Sequence, residues 1–261
     1  MNDIPPAFDM FHDTCKIEDG FLFKDMAVCD LGLETSAPAY LDAVASRIGY
    51  RAYDIEKGDR AGTLANIISR GLEAASISGI GKPVRIDGWD KRCVRAGPVL
   101  VESPRWALVV DRAVFPHSIY CFFLTLGREF DRVKEADGLF ESYVLDGLGS
   151  ELTERVADSM EKKLRGQLAT SGLACSRRFS PGYCDWPLAN GQKSLSKFLD
   201  TSSIGLTVLS SGAMVPAKSV SGAMIVADRL RILCPCPVCP KKDCPYRRED
   251  VWGEYEYPPR T

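Results

Sequence analysis

Apolar residues recur every three or four positions through the stretch after residue 138: Leu145, Leu148, Leu152, Val156, Met160, Leu164 and Leu168. That period predicts a helix from about Leu139 to Ser171, with Glu151, Glu154, Arg155, Asp158 and Glu161 on the rest of its surface. The same period predicts helices over Tyr40–Ile48, closed by Gly49, and from about Thr63 to Ser76, where Leu64, Ile67, Ile68, Leu72 and Ala75 share a face. A further helix is expected from about Leu188 to Leu199, with Leu188, Gln192, Leu195, Phe198 and Leu199 on one side. Short apolar runs rich in β-branched and aromatic residues predict buried strands at Trp106–Val110 and Ile119–Leu124. Further strands are expected at Ile204–Val208, at Lys218–Val226 with an interruption at Gly222, and around Phe21–Phe23. Arg177–Tyr183 contains a Pro-Gly pair and reads as a loop. Strands come in separated groups with helices between them, and no strand–helix repeat carries a Gly-rich phosphate loop, so the expected class is α+β. We divide the chain into an N-terminal extension (1–38), one domain (39–233) and a Cys-rich tail (234–261).

Composition narrows the function. The chain has 261 residues, 45% apolar and 26% charged, which is ordinary globular usage. A net charge of −2 argues against nonspecific nucleic-acid binding. No apolar run approaches the roughly 20 residues that span a bilayer. The start, MNDIPPAFDM, lacks the basic and apolar regions of a signal peptide, so a cytoplasmic location is expected. Gly79-Ile-Gly81 runs into Lys82-Pro83 and fails the dinucleotide fingerprint, and the histidines, His12 and His117, are too few for most histidine metal sites. His117 reads as a turn residue.

Ten cysteines are many for such a protein. Cys15, Cys29, Cys93, Cys121, Cys175 and Cys184 are scattered and read as small core residues. Cys234, Cys236, Cys239 and Cys244 fall within eleven residues. Their thiolates suit a tetrahedral zinc site or an iron–sulfur cluster; the other reading is a tail of free thiols. The spacing matches neither a zinc-ribbon pair nor the bacterial ferredoxin run.

Arg178-Phe-Ser-Pro-Gly-Tyr183, continuing as Cys184-Asp-Trp-Pro-Leu188, resembles the R-x-x-x-G-Y signature of the activation domain of vitamin B12-dependent methionine synthase. Ile204-Gly-Leu-Thr-Val-Leu-Ser-Ser-Gly-Ala-Met214 resembles that family's G-x-x-L-T-x-S segment, and Val215-Pro-Ala-Lys-Ser-Val-Ser-Gly222 its P-x-x-S-V-S-G segment. Gln192-Lys-Ser-Leu195, Thr125-Leu-Gly127 and Arg47-Ile-Gly-Tyr-Arg51 are similar to further elements, so the resemblance covers roughly residues 39–226 in order. It implies a single α+β domain, a twisted antiparallel sheet flanked by helices, that binds S-adenosylmethionine (AdoMet). It also implies that Arg178 anchors the ligand carboxylate, which a guanidinium grips through two parallel hydrogen bonds. By the same resemblance the backbone at Ser180 faces the adenine, and Gly182 admits the ligand closely. Tyr183 borders the reacting methyl or the corrin, and Glu154 lies near the ligand's positive end. Lys218 reads as a solvated lysine, the other reading being a contact with a corrin side chain. The implied activity is reactivation of a separate corrinoid (cobalamin-binding) methyltransferase protein: cob(II)alamin is reductively methylated by AdoMet, with electrons from a flavodoxin, a ferredoxin or a dedicated reductase. The alternative is an AdoMet- or metal-binding regulatory module without turnover. Two family positions depart: a second acidic ligand residue falls on Gly172, and an expected tyrosine falls near Ile232, with Tyr246 as the candidate substitute.

Overall fold

The computed structural model describes residues 19–49, 60–136, 138–244 and 247–253. The first part of the expected N-terminal extension, with His12 and Cys15, lies outside the described residues, as do Tyr50-Arg51 and Tyr246.

The centre is one antiparallel sheet of five strands: β1 (Phe21–Met26), β2 (Ile77–Arg85), β6 (Val114–Thr125), β7 (Ala174–Cys175) and β10 (Ser219–Arg229), in the order β1-β2-β6-β10-β7. Its middle strand explains the unbroken apolar run at Ile119–Leu124. Tyr120, Phe122 and Leu124 point into one hydrophobic core, and Ile119, Cys121 and Phe123 into another. A strand covered on both faces has no reason to alternate with polar residues.

On the first face lie three helices, α1 (Pro38–Arg47), α2 (Arg60–Ala74) and the 32-residue α5 (Leu139–Thr170). The periodic leucines of α5 are all buried there, as the sequence pattern requires. Helix α4 (Arg128–Ala136) precedes α5 and inserts Phe130 into the same core. The opposite face carries a small three-stranded sheet, β3 (Gly88–Trp89), β4 (Val94–Ala96) and β5 (Val99–Val101), together with α3 (Pro104–Asp111) and α6 (Leu188–Phe198). A two-stranded ribbon, β8 (Thr207–Val208) with β9 (Met214–Val215), leads into β10. The expected α+β class, antiparallel sheet and single domain are borne out. No helix among the described residues is long and apolar enough to cross a membrane.

Four expectations from the pattern change. Trp106–Val110 is helical, not extended: Ser103 caps α3 by accepting the Trp106 N–H at 3.0 Å, and Pro104 follows in the first turn. Buried Trp106, Ala107, Val109 and Val110 then fit a helical face. Most of Ile204–Val208 is not strand, because Asp200 caps a 3-10 turn over Thr201–Ile204 that Gly205 ends with a φ of 66°. Gly222 does not interrupt β10, which pairs with β6 through it. His117 lies within β6, its Nε2 2.6 Å from Asp228 Oδ1, and is not a turn residue.

Strand β2 carries two glycines and a proline, residues that weaken a strand pattern. Its glycines are needed for close approach. Gly81 and Gly79 lie opposite Phe21 and Phe23 of β1, and a Cβ on either would fall 2.5–2.6 Å from the facing phenyl ring. Pro83 lies beyond the last residue paired with β1, where one edge of β2 has no neighbouring strand.

Candidate functional site

Helix α5 carries Glu151, Glu154, Asp158 and Glu161 at spacings of three and four, one stripe along its polar side. After α5, Gly172 closes the helix at a φ of 74°, with the Leu173 N–H donating to Leu168 O at 3.0 Å. The chain then runs through β7 and returns along the acidic stripe as Ser176–Tyr183. Phe179 forms a bridge to Ala223 of β10, with hydrogen bonds of 2.9 Å in both directions.

This return lays Arg177 and Arg178 on the stripe. Arg178 Nη2 is 2.6 Å from Glu154 Oε2, and Nη1 is 3.2 Å from Glu161 Oε2 and bonded to Asp158. The Arg178 backbone N–H also donates to Glu161 at 3.1 Å, and Arg177 Nη1 is 2.7 Å from Glu161 Oε1. The guanidinium expected to receive a ligand carboxylate is thus held by three carboxylates of the chain itself, with its side chain only 4% exposed. Burial works against its charge, but Asp158, Glu154 and Glu161 outweigh that and keep it protonated. Burial likewise opposes the Glu161 carboxylate, yet Arg248, Arg177 and Arg178 hold it below the ordinary glutamate range.

Beyond Arg178 the chain makes a tight turn. Gly182, at a φ of 91°, donates to Trp186 O at 2.8 Å, and the Tyr183 N–H donates to Ser180 O at 3.1 Å. Beneath it, Trp106, Phe179 and Trp186 stack with ring centroids 5.5–6.4 Å apart. The turn separates two cavities. A cleft of about 350 Å³ lies between it, α5, α6 and the start of β10, and Glu154, Ser180, Tyr183, Gln192 and Lys218 line it. Ser180 Oγ is buried on this wall with no hydrogen-bond partner among the described residues. Lys218 is not solvated: its Nζ sits 3.0 Å from Asp146 and 2.9 Å from Ser150 Oγ. The other cavity, about 420 Å³, takes Arg178, Gly182, Cys184 and the four tail cysteines. Tyr183, 42% exposed, lines both.

Of the expected ligand residues, Glu154, Ser180 and Tyr183 therefore meet at the cleft, whereas Arg178 and Gly182 face the second cavity. Sequence reasoning missed Asp158 and Glu161 as partners of Arg178, and Cys184 as a neighbour of the tail. Cys121 and Cys175 are core residues as expected, but Cys29 and Cys184 are exposed and Cys93 is half-buried.

The fold is similar to that in the crystal structure of the MetH reactivation domain bound to AdoHcy, with a TM-score of 0.51 and 15% identity, covering 80% of this chain and 78% of that one. No protein-family model matches the sequence, and no curated protein matches it.

Proposed function

We propose that the chain binds AdoMet in the cleft beside Tyr183 and supports reductive methylation of cob(II)alamin carried by a separate corrinoid protein. The observation that carries this reading is the fold, which is similar to that of a MetH reactivation domain crystallised with AdoHcy. The cleft's chemistry agrees with it. Glu154 faces the space with a carboxylate suited to a sulfonium or ammonium. Ser180 Oγ, buried and without a hydrogen-bond partner among the described residues, suits a polar group of the ligand. Arg178 acts as a positioning residue: it fixes Glu154 and ties the Ser180–Tyr183 turn to α5. Tyr183 borders the transfer path at the exposed rim. One electron from a flavodoxin- or ferredoxin-class donor converts cob(II)alamin to cob(I)alamin, which takes the AdoMet methyl, leaving AdoHcy and methylcobalamin. Methyl transfer drains the unfavourable reduction. The chain's contribution is placement of the methyl before cobalt, an effect worth up to about 7–11 kcal/mol.

Two measurements test the reading. Mixed with a corrinoid protein, AdoMet and a low-potential reductant, the chain should speed the loss of the cob(II)alamin absorption; equal methylation without it refutes reactivation and leaves an AdoMet-binding module. Ser180→Ala should leave unfolding stability unchanged or slightly higher, because it removes an unpaired buried hydroxyl, yet weaken AdoHcy binding about 3- to 10-fold, the equivalent of one neutral hydrogen bond. Calorimetry giving wild-type affinity would take Ser180 out of the site.

A further inference from the structure

Five of the nine described cysteines, all free thiols, line the 420 Å³ cavity. Four belong to the tail; the fifth, Cys184, lies fifty residues before Cys234, in the signature turn. The two segments are tied together. The Arg177 N–H donates to Leu233 O at 2.8 Å, just before the first tail cysteine. Arg105 spans both: its Nη1 is 3.0 Å from Asp185, next to Cys184, and its Nε donates to Val238 O at 3.2 Å. Between Pro235 and Cys239 the tail folds into a 3-10 turn, Cys236–Val238, and Arg247 donates to Cys236 O at 2.7 Å. These contacts build a cysteine-lined chamber, which a loose tail of free thiols would not form.

Charge and size define the guest. Lys241 and Arg247 line the chamber beside the thiols, with the carboxylate-paired Arg105 and Arg178 at its edge, and no carboxylate among the described residues lines the cavity. Such surroundings suit an anionic occupant. A structural zinc needs four ligands converging on one point. Among the described residues no three Cys, His, Asp or Glu side chains do so. Thiolates spread around a chamber suit a multi-atom iron–sulfur body held by four cysteines.

We infer that this chamber is the site of a [4Fe–4S] cluster whose four thiolate ligands are Cys184 and three of Cys234, Cys236, Cys239 and Cys244. Tyr183 lines both this chamber and the cleft, so the redox centre shares a wall residue with the candidate AdoMet site.

The test needs no corrinoid and is independent of the reactivation reading. The full chain, purified anaerobically and reconstituted with iron and sulfide, should carry about four irons and four sulfides per chain and a visible absorption that dithionite bleaches. Cys184→Ala, at an exposed position, should lose most of that iron and absorption while keeping its far-UV circular dichroism. Cys234→Ala, Cys236→Ala, Cys239→Ala and Cys244→Ala, compared in the same way, identify the remaining ligands: the one that keeps its iron is not a ligand. Stoichiometric zinc in place of iron, or metal-free protein with all five thiols titratable after reconstitution, overturns the cluster. Full iron content in folded Cys184→Ala overturns the assignment of Cys184.

Discussion

Arg178→Met lowers unfolding stability by about 3 kcal/mol, the lower end of the range for removing one partner of a buried ion pair. The three carboxylates on Arg178 do not weigh equally. Asp158 is 61% exposed and Glu154 32%, so water compensates much of their loss. Glu161 is 1% exposed and has no such recourse. It keeps Arg177 at 2.7 Å, which is why the cost stays near the bottom of the range. Arg178→Met combined with Glu161→Leu should cost less than the two single changes added together, because no uncompensated charge stays buried. Urea midpoints for the four proteins decide the matter. A loss below about 1 kcal/mol in Arg178→Met would mean that the loop is held by its aromatic floor and not by this pair.

The same cluster sets an acid limit. The folded-state pKa of Glu161 lies below its ordinary value of 4.5: burial pushes it up, but the charges of Arg248, Arg177 and Arg178 more than reverse that. A depressed carboxylate contributes stability that is complete above the unfolded pKa and is lost as pH falls through the folded pKa. In Arg178→Met the depression shrinks, so acid unfolding should begin at a higher pH than in the wild type. An unchanged acid midpoint would indicate that other carboxylates govern that transition.

Much of the fold was legible where burial imposes a period. Leu145 to Leu168 on α5 and Leu64 to Leu72 on α2 face the core and repeat as a helix must. The run at Ile119–Leu124 was legible because both faces of its strand are covered. What escaped was set by local chemistry or by distant neighbours. The Ser103-Pro104 cap outweighed the strand propensity of Trp106–Val110. Helix α4 is so charged that Phe130 and Val133 alone reach the core, too few to display a period. Strands β3 to β5 are two or three residues long. At the site, the turn at Arg178–Tyr183 was evident from composition, but its partners were not. The stripe Glu154, Asp158, Glu161 resembles any solvated helix face until an Arg-Arg pair, distant in sequence, folds back onto it. Only the coincidence of an acidic row at helical spacing with two adjacent arginines hinted at the match.

Trp186→Ala costs about 3–5 kcal/mol and loosens the candidate cleft, the larger of the two effects on the loop. Trp186 is 2% exposed and stacks on Phe179 at 5.5 Å and on Trp106 at 6.4 Å. It also anchors the turn by its backbone, through Gly182 at 2.8 Å and Tyr183 at 3.0 Å. Truncation leaves those backbone bonds but empties the floor on which Ser180 to Tyr183 rests. The turn then samples positions away from α5, and AdoHcy affinity falls along with stability. Trp186→Phe separates the two contributions. It keeps a ring in the stack and deletes an indole N–H that has no partner among the described residues, so most of the stability should return. Near-ultraviolet circular dichroism follows the stacked rings directly, denaturant unfolding gives the stability, and calorimetry with AdoHcy gives the cleft. If Trp186→Ala keeps wild-type ligand affinity while losing the expected stability, the aromatic stack supports the fold but not the site. The ion pairs of Arg178 then hold the turn in place by themselves.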